Sequence, residues 1–143
     1  MIGLDTNVLV RYVTQDDPEQ SRHATALIES FDEGTPGFVS VVVLVELHWV
    51  LRRAYKVSRG DIAMVIRKLL DARELIVAEA DAARRALTRL TDDIDFSDAL
   101  IGELGALAGC SYTATFDRRT LGLPGMRSIP ETGGEAPRST SRP

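Results

Sequence analysis

Apolar residues Ala24, Leu27, Ile28 and Phe31 recur at helical spacing within DDPEQSRHATALIESF, and positions so spaced share one face of a helix. Asp17 stands where a cap is expected, Pro18 suits the first helical position, and Gln20 follows Asp17 as in a capping box. VVVLVELHWVLRRAY is too long for a strand and reads as a mostly buried helix capped by Ser40, despite β-branched residues at its start. In SRGDIAMVIRKLLDAR, Ser58 and Asp61 resemble a second capping box, and Ile62, Val65, Ile66 and Leu69 form an apolar stripe. DAARRALTRL predicts a further amphipathic helix, and SDALIGELGALAG a helix stopped by a left-handed cap at Gly109. The strand candidates are Met1 to Leu4, Phe38 to Ser40, LIVAEA, SYTATF and MRSI. The predicted order is β-α-α-β-α-α-β-α-α-β-β, an alternation that implies an α/β fold with a mostly parallel sheet of about five short strands covered by helices. Residues 1–130 form one domain in this reading. From Glu131 the segment ETGGEAPRSTSRP has almost no apolar residue, so residues 131–143 are expected to be a disordered tail.

Composition narrows the class. A length of 143 residues, 44% apolar and 27% charged, fits one ordinary soluble domain. No apolar run approaches the roughly 20 residues of a membrane span, and the start lacks the features of a signal peptide, so a cytoplasmic, bacterial-type protein with no membrane partner is expected. The single cysteine, Cys110, excludes an internal disulfide and reads as a small packing residue. A net charge of −4 argues against a broad nonspecific nucleic-acid binder. It leaves room for a nuclease, because acids gathered in one pocket can recruit metal ions that meet phosphate.

The acids fall at telling places. Asp5 ends the first strand and Asp117 follows SYTATF, and in open α/β sheets ligands bind outside the carboxyl ends of strands. If those strands are neighbours, both carboxylates project at one edge. Glu46 is the only acid in an otherwise almost wholly apolar helix, and burying an uncompensated carboxylate is costly. Arg53 lies too far along that helix to compensate it, so a metal ion is the better explanation. Asp98 lies in the first turn of its helix, where acids commonly complement the dipole or compete with Asp95 and Ser97 as caps. It also shares a face with Ile101 and Gly105, and Gly102 leaves room for a close approach. Asp5, Asp98 and Asp117 each alone have an ordinary turn or cap explanation, whereas Glu46 alone already points to function. Their conjunction is what points to a site, and an oxygen-only donor set suits Mg²⁺ or Mn²⁺. His23 and His48 read as an exposed and a partly buried helix residue.

IGLDTNVLV, VVVLVELHWVL, DFSDALIG and TFDRR occur in an order and spacing that resemble the PIN-domain ribonucleases, and especially the VapC toxins of bacterial toxin–antitoxin pairs. The resemblance runs from about Met1 to Pro130. It implies a PIN-like three-layer α/β/α fold and a metal-binding catalytic quartet of Asp5, Glu46, Asp98 and Asp117. Thr6, Asn7 and Thr115 would orient carboxylates or the attacking water. The implied activity is Mg²⁺-dependent endoribonuclease cleavage, with Mn²⁺ as a possible substitute, and the implied partners are RNA, a cognate VapB-like antitoxin and a second copy in a homodimer. Arg11, Arg52, Arg53, Lys56, Arg118 and Arg119 are available to steer an RNA backbone, with Arg118 and Arg119 the best placed beside Asp117. Ser97 carries no assigned function in this reading.

Other chemistries fit less well. An aspartyl-nucleophile phosphatase would need a second Asp where Asn7 stands, and no GxxxxGK[ST] stretch exists for a P-loop. A receiver-like phosphoacceptor would need a late lysine, whereas Lys56 and Lys68 lie mid-chain. From a different class, a catalytically inactive PIN scaffold that only binds protein or RNA would not need an intact quartet.

Overall fold

The computed structural model describes residues 1–129; the tail expected over 131–143 lies outside the described residues. Three strands, β1 (Ile2–Gly3), β2 (Gly37–Val39) and β3 (Leu75–Val77), form one parallel ladder with β2 in the middle. The crossovers are helical, α1 (Thr6–Thr14) and α2 (Pro18–Glu29) after β1, α3 (Val41–Arg53) and α4 (Arg59–Asp71) after β2. After β3 come α5 (Ala80–Leu87) and α6 (Phe96–Leu107), then β4 (Thr113–Thr115), a 3-10 turn at Arg118–Gly122, and β5 (Met126–Ser128). The expected α/β alternation is therefore present. The expected single sheet is not: β4 pairs with β5 in a separate two-stranded parallel ladder, and no described ladder joins β1 to β4. A first strand of two residues leaves few backbone groups to extend the ladder on that side.

Local chemistry explains where the helices start. Asp17 Oδ1 accepts from Gln20 N at 2.9 Å, Ser40 Oγ from Val43 N at 3.2 Å, and Ser58 Oγ from Asp61 N at 3.1 Å. Each cap satisfies an orphan amide of the first turn. The reciprocal halves of the two expected capping boxes are not formed. Gln20 instead accepts from Arg11 Nε at 2.8 Å, which draws α2 toward α1. Gly109, at φ +84°, takes the left-handed position just past α6, as its spacing predicts.

The core lies between the three-stranded ladder and the helices. Leu9, Leu44, Leu47, Leu51, Ile66 and Val39 are wholly buried, and Val10, Leu100 and Phe96 nearly so. Gly37 is required in the central strand, because a Cβ there would stand 2.6 Å from Phe31 Cε2 and 2.8 Å from Leu75 Cδ2. On the surface, Arg84 bridges to Asp71, while Arg85 and Arg89 converge on Glu103, tying α5 to both flanking helices. Cys110 is exposed rather than packed, lying beyond the cap that ends α6.

Candidate functional site

Asp5 occupies the N-cap of α1 with extended backbone, φ −78° and ψ 156°. Its side chain nevertheless makes no capping hydrogen bond, so the carboxylate remains exposed and free at the end of β1. The buried hydroxyl of Thr6 is not used in a cap either. Thr6 Oγ1 donates to Glu46 Oε2 at 2.7 Å, across forty residues of chain. The first candidate acid is thereby set beside the residue that holds the second.

Glu46 does not sit in the apolar interior that its sequence surroundings imply. The core stripe of α3 is Leu44, Leu47, His48 and Leu51. Glu46 lies outside it, on the exposed side with Val42 four residues earlier. An almost uniformly apolar run does not reveal which residues are turned out, and the argument from burial is overturned for that reason. Arg53 is no partner of Glu46, since its guanidinium carbon lies 4.4 Å from the Trp49 ring centroid.

Asp98 is half-buried in the first turn of α6, where its Oδ2 accepts weakly from Asp95 N at 3.4 Å. Asp95 is the N-cap, and Arg59 holds it through an Nε to Oδ1 bond of 2.5 Å while also reaching the Asp92 carbonyl. The predicted inward face is only partly inward. Ile101 is 55% exposed, and a Cβ built at Gly102 would meet Met126 Cε at 3.6 Å, an ordinary contact, so the expected close approach at that glycine is not present.

Asp117 does not follow β4 directly. The strand stops at Thr115, whose Oγ1 accepts from Asp117 N at 2.9 Å, a local turn that competes with extension of the ladder. Thr115 thus sets the backbone of Asp117. Arg119 clamps the carboxylate, with Nε to Oδ1 at 3.0 Å, Nη2 to Oδ2 at 2.7 Å, and its own amide to Oδ1 at 3.0 Å. This clamp holds the Asp117 carboxyl below its usual range, first through the side-chain hydrogen bond and then through the backbone one. The same guanidinium is raised further above its ordinary value, mainly by Asp117 and to a smaller degree by the fields of Asp98 and Asp95. Asp98 and Asp117 are therefore electrostatically linked through Arg119.

Asp5 is thus joined to Glu46 through its neighbour Thr6, while Asp117 is held by Arg119. Among the described residues no group of three or more Asp, Glu, His or Cys side chains forms a ready-made metal cluster. The donor chemistry still suits Mg²⁺, which usually engages only one or two carboxylates and keeps several waters for substrate phosphate to replace. Asn7 is exposed and faces a different feature, a cavity of about 270 Å³ between α1 and α2 that also touches Val8, Arg11 and Gln20; none of the four acids lines it. Arg118 is exposed, and no hydrogen bond or ion pair engages it among the described residues.

One connection was not foreseen from sequence. His48, read as partly buried, is 1% exposed, and its Nδ1 lies 2.8 Å from the buried Ser97 Oγ. Burial is the main cause holding the imidazole below its ordinary pKa. The contact joins α3, two residues after Glu46, to α6, one residue before Asp98. A polar residue recurring within an apolar helical stripe is the only sequence signal for it. His23 is exposed, as expected.

Comparison with known proteins yields no match among curated proteins. The sequence pattern of the PIN domain, by contrast, matches residues 2–123, a span that contains all four acids and the hydroxyl residues beside them. The chain belongs to the PIN-domain family.

Proposed function

We propose that the chain is a metal-dependent endoribonuclease that hydrolyses RNA phosphodiester bonds through Asp5, Glu46, Asp98 and Asp117. PIN domains are typically metal-dependent nucleases, which sets the reaction class. The observation that carries the assignment to these residues is at the first strand end. Asp5 holds a cap position without capping, and its neighbour Thr6 donates to Glu46. An Asp that starts a helix commonly bonds the first-turn amides, and Asp5 does not.

Asp5, Glu46, Asp98 and Asp117 would hold a divalent ion. A bound Mg²⁺ or Mn²⁺ supplies a water of lowered pKa and stabilises charge on the leaving oxygen. Thr6 restricts the rotamer of Glu46, and Thr115 fixes the turn from which Asp117 projects. Arg119 pairs with Asp117 at 2.7 Å in the free protein and would be a cation available to an incoming phosphate at that carboxylate. Arg118, unengaged beside it, adds positive charge on a chain whose net charge is −4.

The biological role we infer is that of a VapC-like toxin, held in check by a VapB-like antitoxin and acting as a homodimer in the cytoplasm. Its support is the order of the four sequence motifs, with exposed apolar side chains on α3 and α4, Val42 and Met64, as candidate contact points. No helix among the described residues is long and apolar enough to cross a membrane. The direct test is RNA cleavage by the purified protein with Mg²⁺ and with chelator. Metal-dependent cleavage that disappears in Asp5→Asn and Glu46→Gln supports the reading, and full activity in chelator overturns it.

A further inference from the structure

Phe116 is 87% exposed, more than any other large apolar side chain described. It follows β4 directly and immediately precedes Asp117. Along this stretch the pleat alternates, with Thr113 and Thr115 half-buried and Ala114 and Phe116 turned to solvent. The Thr115 to Asp117 hydrogen bond ends the strand and fixes the turn at this point. Exposure of the ring is therefore built into the local backbone. It is followed by Arg118 and Arg119, both exposed.

We propose that Phe116 is a stacking platform for the base flanking the scissile phosphate, placing the RNA in register at Asp117. This rests on the nuclease reading above. Proteins that hold single strands combine cationic side chains for phosphates with aromatic faces for bases. The Phe116-Asp117-Arg118 stretch brings such a face, a candidate catalytic acid and a guanidinium with no partner among the described residues into three consecutive residues. Adjacent Cα atoms are about 3.8 Å apart, so the backbone positions that carry the ring and the carboxylate are spaced closer than one nucleotide repeat. A base can stack on the ring only when it is unpaired. Purines, with the larger face, should be favoured there over pyrimidines.

The test uses the full chain, Phe116→Ala and Phe116→Trp, with single-stranded oligoribonucleotides carrying 2-aminopurine at successive positions. Binding is read in chelator as quenching of the analogue, and cleavage is read separately in Mg²⁺. Stacking predicts that the wild type quenches the analogue at one preferred position. Phe116→Ala should then weaken binding and raise KM by roughly 5- to 150-fold, with a smaller effect on kcat and loss of the purine preference. Phe116→Trp should restore both. Thermal melts should be unchanged for an exposed side chain. Wild-type binding, KM and purine preference in Phe116→Ala would overturn the stacking role while leaving the nuclease standing. Unchanged RNA handling with loss of self-association would assign the ring to a protein contact and likewise overturn it. Failure of the wild type to bind or cleave RNA at all would remove both readings.

Discussion

The hydrogen bond from Thr6 to Glu46 allows a quantitative test of the site. Thr6→Val keeps the shape of the side chain and removes only the hydroxyl, which donates to Oε2 at 2.7 Å. Thr6 is 5% exposed, so valine suits the site sterically, and the exposed Glu46 can turn to water. The folding cost of the change should therefore stay near or below about 1 kcal/mol. Its effect on the metal should be larger. A partner that orients a ligating carboxylate is typically worth 10- to 100-fold in metal affinity, and a net bond to a charged acceptor of about 1.5 kcal/mol corresponds to roughly tenfold.

Mg²⁺-dependent melting measures this without knowledge of the RNA sequence. An ion that binds only the folded state stabilises it by mass action, so a tenfold weaker site loses about 1.4 kcal/mol at a high fixed Mg²⁺ concentration. That is a deficit of roughly 3–6 °C in the Mg²⁺-induced shift for a domain of this size. In chelator, wild type and Thr6→Val should melt within a few degrees of each other, and Thr6→Ser should retain most of the Mg²⁺ response. Cleavage by Thr6→Val should need about tenfold more Mg²⁺ for half-maximal rate. An unchanged Mg²⁺ response in both assays would refute the claim that Thr6 positions a ligand.

Three further perturbations address the scaffold. Ser97→Ala removes the buried bond to His48 and should destabilise the protein by about 1–3 kcal/mol in denaturant melts; a change of only a few tenths would show that the link between α3 and α6 is dispensable. Gly37→Ala forces a methyl group against Phe31 and Leu75 and should cost about 1–3 kcal/mol through overpacking, whereas a more stable variant would mean that both side chains relax freely. The Asp16 carboxyl is lowered to about 2, first by the Tyr55 hydroxyl and then by that of Thr14. Its folded-state pKa is below the unfolded value, so its contribution is present above pH 4 and is lost as pH falls toward 2. Tyr55→Phe should therefore be less stable than wild type at pH 5, with the gap closing toward pH 2.5; a gap independent of pH would place the role of Tyr55 elsewhere.

Legibility in the sequence followed the range of each interaction. Asp17, Ser40 and Ser58 reveal helix starts because a cap and its amide lie three residues apart, and Gly109 reveals a stop for the same reason. Pairing between strands depends on partners dozens of residues away, so the division into two ladders was not legible. Glu46 stands out in the sequence as the lone acid of its helix, yet its exposure is not legible there, since apolar neighbours on all sides erase the periodicity that assigns a face. SYTATF alternates like a strand to its last residue, and the Thr115 turn that ends it early is a choice between two local hydrogen-bonding patterns. The His48 to Ser97 contact spans forty-nine residues and had no sequence signal beyond a polar residue in an apolar stripe.

The same distinction bears on Asp5 and Thr6, the residues on which the proposed site rests most. A cap residue and a metal ligand are the same amino acid in the same place, and composition does not separate them. What separates them is where the hydrogen bonds go. Asp95 begins α6 and its carboxylate is held by Arg59. Asp5 begins α1 and makes no such bond, while Thr6 turns its hydroxyl to a carboxylate on another helix. The first turn of α1 thus forgoes a side-chain cap worth about 1 kcal/mol, and in its place one carboxylate is left free beside another that is held. On the proposed reading, that local loss of stability is what keeps the Asp5 carboxylate available for a ligand.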